Sequence, residues 1–192
     1  PIWIAQREGR AKDGCDVTEP AVIKMLTLSR GQNESRESVL KSLNIVPLVI
    51  AYELDPCDEL KAAELSAGAN YIKAEFEDVA SMSLGITGQK GRVHLHFGDP
   101  LDPELDVAGV VTAIDQQMVA YYRLYRTNVW AWEWLHGEKV PDFVTPHQGE
   151  ISESAFRLRI EAAPMQYRDQ LLAMYANPVS RLLSETVATE GA

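Results

Sequence analysis

The chain has 192 residues and a formal net charge of −10, with 46% hydrophobic and 24% charged residues. This length and composition are typical of a globular protein with one sizeable core, and they exclude disorder over most of the chain. An acidic surface repels nucleic acid and anionic lipid at long range, so we expect no nucleic-acid partner. No apolar segment approaches the roughly 18 residues of a membrane-spanning helix.

The two cysteines, Cys15 and Cys57, have no Cys or His near them at the spacing of metal ligands. We therefore expect free thiols in a reducing compartment, with no disulfide and no metal site. The sequence begins with Pro1, and strand-like residues follow at once. We accordingly expect that the protein continues upstream of residue 1.

Two apolar segments predict strands in the first part of the chain. Residues 2–5 form an almost continuous apolar run, which is typical of a strand buried on both faces. A helix should follow, with Thr18 as its N-cap and Gly31 at its end, and then a short helix at about 36–43. The segment 44–53, NIVPLVIAYE, predicts a second buried strand; Pro47 belongs at an edge, a bulge or the strand's start because proline cannot donate a hydrogen bond.

The next helix has the clearest end signals in the sequence. Asp55 and Pro56 form a good N-cap and first-turn pair, and Gly68 is a good C-terminal stop. A second helix is expected at about 71–84. The loop GITGQKG, 85–91, then leads into a third strand at 92–97.

This alternation of strands and helices predicts an α/β fold, with a mainly parallel sheet flanked by helices. After Pro103 the pattern is helical, with helices expected at 152–162 and 164–176 and a break at Pro178. Residues 130–149 are expected to be partly irregular. A long amphipathic helix carries one apolar face made of Val107, Val111, Ile114, Met118, Tyr122 and Tyr125.

The segment REGRAKDG, 7–14, places a cluster of charge between glycines directly after the first predicted strand. Such turns in α/β sheets bind anions, since glycine lets backbone N–H groups approach a phosphate. Arg7 and Arg10 suit a phosphate ester because a guanidinium forms two parallel hydrogen bonds, and Lys12 adds a point charge. The alternative is a solvated turn whose charges form surface ion pairs.

Three segments resemble the glycerol-phosphate and lysophosphatidate acyltransferase family. WIAQREGRAKDG, 3–14, resembles its E-G-x-R / G-R-x-x-x-G block, and NIVPLVIAYE resembles its strand block with proline inside an apolar run. VHLHFGDPL, 93–101, is similar to its terminal strand, where Phe-Gly-acidic-Pro-Leu follows aliphatic residues. The segments occur in the family order and cover roughly residues 1–101, which we expect to be the C-terminal part of an acyltransferase-like α/β domain. Residues 102–192 would form a helical extension or a small helical subdomain.

The resemblance implies transfer of a fatty acyl group from acyl-CoA or acyl carrier protein to a glycerol-phosphate-type lipid acceptor in phospholipid synthesis, with lysophosphatidate favoured. The family's E-G-x-R block binds the acceptor phosphate, which adds Glu8 and Gly9 to Arg7, Arg10 and Lys12. Gly9 and Arg10 match the Gly-Arg of the block; in that register the family's Glu falls on Arg7, and Glu8 matches it only with one residue missing. The resemblance implies no cofactor, and a cytoplasmic protein that is free or peripheral on the inner face of the membrane.

The family's general base is a His in an H-x4-D motif that lies upstream of the phosphate block. We therefore expect the catalytic pair upstream of residue 1, and no activity from these 192 residues alone. His94 and Asp99 match H-x4-D, but they fall in the terminal strand, where positions five apart point to opposite faces. The main alternative to an enzyme is a non-catalytic phosphate- or lipid-binding α/β domain.

An aromatic stretch in the second half allows two interpretations. Tyr, Trp and Arg favour a membrane interface, so the stretch could provide a peripheral membrane contact. The favoured interpretation is packing of a helix on the sheet, with the aromatics in the core. The stretch contains Tyr121, Tyr122, Arg123, Tyr125, Arg126, Trp130, Trp132 and Trp134.

Overall fold

The computed structural model describes residues 2–7, 12–28 and 30–190, with side chains to residue 186. The chain divides into two compact units, and each unit is built from several segments. The first comprises Pro1–Ala11, Asp16–Ile50 and Leu95–Tyr122, and the second comprises Lys12–Cys15, Ala51–His94 and Arg123–Ala192. The predicted parts, residues 1–101 and 102–192, were defined by the extent of the family resemblance. This division stays a prediction.

Helices dominate the described structure. In chain order the elements are α1 (Pro20–Leu26), α2 (Arg36–Ser42), β1 (Leu48–Tyr52), α3 (Asp58–Ala67), α4 (Glu77–Thr87), β2 (Val93–Phe97), α5 (Val107–Tyr121), α6 (Arg126–His136), α7 (Glu153–Ala162) and α8 (Met165–Glu190). A 3-10 turn, Gly68–Asn70, follows α3.

The predicted fold class, an α/β fold with a mainly parallel sheet, is wrong. Within the described residues the sheet has two strands, β1 and β2. They run antiparallel: the Gly98 N–H donates to the Pro47 carbonyl and the Glu53 N–H to the Arg92 carbonyl, each at 2.9 Å. Pro47 precedes β1, so its missing N–H costs the strand pairing nothing.

The strand predicted at residues 2–5 does not form. These residues have no regular secondary structure and no ladder partner among the described residues, and Ile2, Trp3 and Ile4 are 90%, 73% and 50% exposed. An apolar run specifies a strand only where another strand supplies the hydrogen bonds for its backbone. Without this strand the alternation that predicted a parallel sheet is lost.

Two helices begin later than predicted because the expected cap residues make other hydrogen bonds. The N-cap of α1 is Glu19, while Thr18 donates its hydroxyl and its N–H to Asp115 Oδ1 at 2.7 and 2.9 Å. The N-cap of α3 is Cys57, whose N–H donates to Asp55 Oδ1 at 2.8 Å in a tight turn before the helix. Gly68 ends α3 as predicted, with a φ of +52°.

Two other helix boundaries also differ from the prediction. α4 begins at Glu77 and ends at Thr87, so the first three residues of the predicted GITGQKG loop are helical. α8 continues through Pro178, where a break was expected. The carbonyl that Pro178 leaves without its helical donor, that of Met174, faces Gly14, where a Cβ would lie only 2.2 Å away.

Each unit has its own apolar core. In the first unit α5 packs on α1 and α2 with part of its predicted apolar face, and the helix ends at Tyr121, before the predicted face residues Tyr122 and Tyr125. In the second unit α8 packs against α3, α6 and α7. The buried apolar residues include Ile23, Leu40, Val49, Val110, Ile114 and Met118 in the first unit, and Phe156, Ile160, Leu171 and Val179 in the second.

Candidate functional site

Arg7 lies in the first unit, at the end of the exposed segment 2–5. The preceding residue is fixed because the Glu19 N–H donates to the Gln6 carbonyl at 2.9 Å. The Arg7 side chain is half-buried, and its Nε is enclosed without a hydrogen-bond partner among the described residues. Leaving such a donor unsatisfied costs about 1–3 kcal/mol, so an acceptor placed at Nε would relieve that cost.

The other members of the predicted phosphate site are either outside the described residues or in the second unit. Glu8, Gly9 and Arg10 fall outside the described residues, so their role stays a prediction. Lys12 lies in the second unit, where its ammonium group forms an ion pair with Glu64 of α3. A phosphate at Lys12 would therefore compete with a carboxylate.

The turn 12–15 is anchored on α8. The Asn177 side-chain amide donates to the Asp13 carbonyl at 2.6 Å, and the Cys15 N–H donates to Asp13 Oδ1 at 3.1 Å. Gly14 has a φ of +73° and approaches the backbone of α8 so closely that no side chain fits. Gly14, which matches the last glycine of the family's G-R-x-x-x-G pattern, therefore has a structural role here.

Asp99 of the H-x4-D string is engaged by α5. Its carboxylate accepts a hydrogen bond of 2.9 Å from the Tyr121 hydroxyl, which raises the pKa of Tyr121. The Gln117 side chain accepts from the Asp99 N–H at 2.8 Å and donates to the Asp99 carbonyl at 3.1 Å. The His96 ring stacks on Tyr121 with 4.1 Å between ring centroids.

The aromatic stretch is part of the core of the second unit where it enters α6. Tyr125 and Trp132 are 2% and 7% exposed, and the Trp132 Nε1–H donates to Ser180 Oγ of α8 at 3.1 Å. The Arg157 guanidinium lies over the Trp134 ring, 5.0 Å from its centroid. Tyr125 and Trp132 are buried, as the core interpretation expected, but the contact of Trp132 is with α8 and not with a sheet.

Glu53, at the end of β1, is a buried carboxylate that the sequence analysis did not single out. It is 1% exposed. Its Oε2 accepts from the N–H groups of Arg92 and Glu150, each at 2.9 Å, and its Oε1 accepts from the Ile151 N–H at 2.7 Å. Glu53 thus joins the end of β1 to the start of β2 and to the loop before α7.

Asp58 is the centre of a second buried polar network. It is fully buried, and both of its oxygens accept from Arg159, at 2.8 Å from Nε and 2.6 Å from Nη2. The Tyr175 hydroxyl donates to Asp58 Oδ2 at 2.6 Å and accepts from the Asp55 N–H at 3.1 Å. Asp58 lies four residues before the buried Ala62 on one face of α3, a spacing that could have marked it as inward-facing.

The hydrogen bond to Asp58 raises the pKa of Arg159, which keeps this guanidinium charged. Burial, followed by the negative charge of Asp58, raises the pKa of Tyr175 well above its usual value. Each polar group named in this network has a hydrogen-bond partner within the protein. A bound substrate is therefore not needed to account for the burial of these groups. We interpret both networks as structural supports of the second unit.

The raised pKa of Tyr175 predicts a loss of stability at alkaline pH. The folded protein keeps the Tyr175 proton at a pH where the unfolded chain has released it, so the free energy of unfolding should fall as the pH rises above about 10. Tyr175→Phe should be less stable at pH 7, because Asp58 and the Asp55 N–H each lose a partner, but should show a shallower alkaline decline. Urea unfolding between neutral and alkaline pH measures both effects. An alkaline decline of equal slope in the variant and the wild type would contradict this prediction.

The remaining sequence predictions concern metals, thiols and membrane spans. Among the described residues there is no group of three or more His, Cys, Asp or Glu side chains able to hold a metal ion. Cys15 and Cys57 are not joined in a disulfide in the described structure, and the Cys57 thiol donates to the Ser81 carbonyl at 3.3 Å. The described part of the chain contains no helix with the length and apolarity to span a bilayer.

The resemblance to the acyltransferase family is supported by the three sequence segments and not by the comparisons with known proteins. Of the residues assigned to the phosphate site, Arg7 has an enclosed Nε without a hydrogen-bond partner among the described residues. No family model matches the chain, and neither a curated protein nor a solved structure matches it.

Proposed function

We propose that the protein is an acyltransferase that moves a fatty acyl group from acyl-CoA or acyl carrier protein to a glycerol-phosphate-type acceptor, with lysophosphatidate favoured, in phospholipid synthesis. The observation that carries the proposal is the enclosed Nε of Arg7, which has no acceptor among the described residues. Arg7 lies within the segment 3–14 that resembles the family's phosphate-binding block. The proposed location is the cytoplasm or the inner face of the membrane.

In this proposal the chain's own contribution is to hold the acceptor by its phosphate. A guanidinium can bind two phosphate oxygens at once, which fixes the orientation of the glycerol backbone as well as its position. A free hydroxyl of that backbone then attacks the thioester carbonyl. The new ester forms as the carbon–sulfur bond breaks, and the hydroxyl proton is transferred through a general base to the leaving thiolate.

A second candidate is a domain that binds a phosphate or a lipid headgroup without catalysis. The observation behind it is that the H-x4-D string of this chain, His94 and Asp99, falls in the terminal strand, and that Asp99 accepts a hydrogen bond from Tyr121 of α5. Both candidates use Arg7 in the same way, so binding and turnover must be measured separately.

Arg7→Ala should weaken binding of glycerol 3-phosphate by roughly 10- to 100-fold, since a charge-assisted hydrogen bond contributes about 1.5–3 kcal/mol. Isothermal titration calorimetry measures the affinity, and Arg36→Ala, which removes an exposed arginine from α2 of the same unit, is the matched control. Because Arg7→Ala also removes an unsatisfied buried donor, its free energy of unfolding should equal or exceed that of the wild type. This combination of weaker binding and undiminished stability is not expected of a structural arginine.

Equal affinities in the wild type, Arg7→Ala and Arg36→Ala would show that Arg7 does not bind phosphate, and both candidates would fail. If Arg7→Ala does weaken binding, incubation of the full-length protein with acyl-CoA and lysophosphatidate separates the two candidates. Chromatographic detection of phosphatidate supports the acyltransferase. Binding without product supports the non-catalytic domain.

A further inference from the structure

The outer face of α4 carries a row of large apolar side chains in solvent. Val79, Met82 and Ile86 are 58%, 59% and 79% exposed, and their spacing places them on one face of the helix. Phe76, directly before the helix, is 73% exposed, and Ile72 in the preceding loop is 90% exposed. We refer to these five residues as the α4 stripe.

The inner face of α4 is made of small residues, the reverse of the usual arrangement. Ser81 is 5% exposed and its carbonyl accepts from the Cys57 thiol. At Gly85 an added Cβ would lie 3.9 Å from the same sulfur. A surface helix normally directs its large apolar side chains at its own core, so the α4 stripe is built to face something outside the unit.

Two features of the sequence and backbone support that conclusion. Residues 79–89 contain no charged side chain, although 24% of the chain is charged. Phe76 has a φ of +62°, a left-handed conformation that no other non-glycine residue adopts among the described residues. An aromatic side chain held in this conformation is strained, and such strain is retained where an exposed residue has a function.

We propose that a second copy of this chain covers the α4 stripe, with the two α4 helices packed antiparallel about a two-fold axis. The charge pattern suits this occupant. Glu77 and Asp78, the latter paired with Lys73 of its own chain, lie at the N-terminus of α4. Lys90, whose ammonium group donates to the Ile86 and Gly88 carbonyls, lies just beyond its C-terminus. Antiparallel packing brings the acids of one copy near the lysine of the other and opposes the two helix dipoles.

The size of the stripe also fits a pair of copies. Its five side chains present on the order of 600 Å² per copy, close to the roughly 800 Å² that each partner buries in a standard interface. Exposed Met and Phe with few charges are typical of the centre of a protein interface. An anionic bilayer is a poorer partner, because the protein has a net charge of −10 and residues 79–89 provide no cation.

Size-exclusion chromatography with light scattering, over a range of concentrations, tests the proposal on the 192-residue chain. We expect a dimer that dissociates on dilution. Met82→Asp should raise the dissociation constant by at least about 100-fold, because the two-fold axis places the two new carboxylates near each other at the apolar centre. Leu158→Asp, at a 67%-exposed position on α7, is the matched control and should leave the dimer intact. Equal far-ultraviolet circular dichroism shows that both variants are folded.

Exchange of charge tests the antiparallel orientation. Asp78→Lys and Lys90→Asp should each weaken the dimer, and the double variant should restore it. A wild type that stays monomeric, or a dimer that Met82→Asp leaves unchanged, would overturn the proposal. A monomer that sediments with phosphatidylcholine vesicles, and loses this property in Met82→Asp, would identify a bilayer as the occupant instead. Arg7→Ala should dimerise normally, so this inference can fail without affecting the proposed function, and the reverse.

Discussion

Replacing Glu53 with alanine should lower the free energy of unfolding by about 3–5 kcal/mol, because three backbone N–H groups lose their acceptor at a buried position. The donors are the N–H groups of Arg92, Glu150 and Ile151, at 2.7–2.9 Å from the carboxylate. Urea unfolding followed by tryptophan fluorescence measures the loss. A variant within about 1 kcal/mol of the wild type would show that water replaces the carboxylate.

The two oxygens of Glu53 accept different numbers of hydrogen bonds, so a milder substitution can remove one bond and keep the other two. Oε2 accepts from Arg92 and Glu150, and Oε1 accepts from Ile151 alone. Glu53→Gln can direct its amide oxygen at the pair of donors and lose only the Ile151 bond. We therefore expect a loss of about 1–2 kcal/mol, well below that of the alanine variant.

A substitution at Gly149, which lies against the Glu53 carboxylate, tests the packing around Glu53. A Cβ at Gly149 would lie 1.9 Å from Glu53 Oε1, so Gly149→Ala must displace the carboxylate or the loop. At Gly31 the nearest atom to an added Cβ is Glu34 Oε2, at 3.4 Å, and no positive φ is involved. Gly31→Ala should therefore lie within about 0.5 kcal/mol of the wild type. Equal losses at the two glycines would contradict the packing role of Glu53.

The elements that the sequence predicts correctly are those with local signals. β1 and β2 follow from apolar runs ended by turn residues, and α5 follows from its helical spacing. α7 begins after Ser152, whose hydroxyl accepts from the Ala155 N–H at 3.2 Å. Caps and periodicity act within a few residues, so they are visible without knowledge of the fold.

The arrangement of the sheet depends on residues far apart in sequence, and there the prediction fails. Residues 2–5 have the composition of a buried strand, but burial requires a neighbouring strand that the described structure does not supply. Glu53 escapes prediction for a related reason. Its partners are backbone N–H groups near residues 92 and 150, and every residue type except proline offers such a group, so no side chain marks the site. Arg7 could be proposed from sequence because a cation beside glycines is itself a chemical signal.

Breaking the Asp58–Arg159 pair should be as damaging as the loss of Glu53. Asp58→Ala leaves a partly buried guanidinium without its counter-charge and removes the acceptor of the Tyr175 hydroxyl. Loss of one partner of a buried pair costs about 3–5 kcal/mol, chiefly because the remaining charge is uncompensated. The Asp58 side chain is 1% exposed and that of Arg159 is 26% exposed, so partial hydration of Arg159 places the expected loss toward the lower end.

Helix α7, which carries Arg159, also supplies a matched control for the Asp58→Ala variant. Glu153 and Arg157 of α7 form an i,i+4 pair in which both side chains are 49% exposed. Glu153→Ala should change the free energy of unfolding by no more than about 0.5 kcal/mol, because solvent screens exposed pairs. Comparable losses for Asp58→Ala and Glu153→Ala would mean that water already reaches the buried pair.

A double-mutant cycle separates the value of the ion pair from the cost of an orphaned charge. Asp58→Ala and Arg159→Met should each be strongly destabilising, while the double variant should lose less than the two single losses combined. The remaining deficit would come from the Tyr175 hydroxyl and the Asp55 N–H, which both depend on the geometry around Asp58. Additive losses would indicate that the two charges act independently. Asp58 would then stabilise the second unit through Tyr175 and the start of α3, and Arg159 through its own packing on α7.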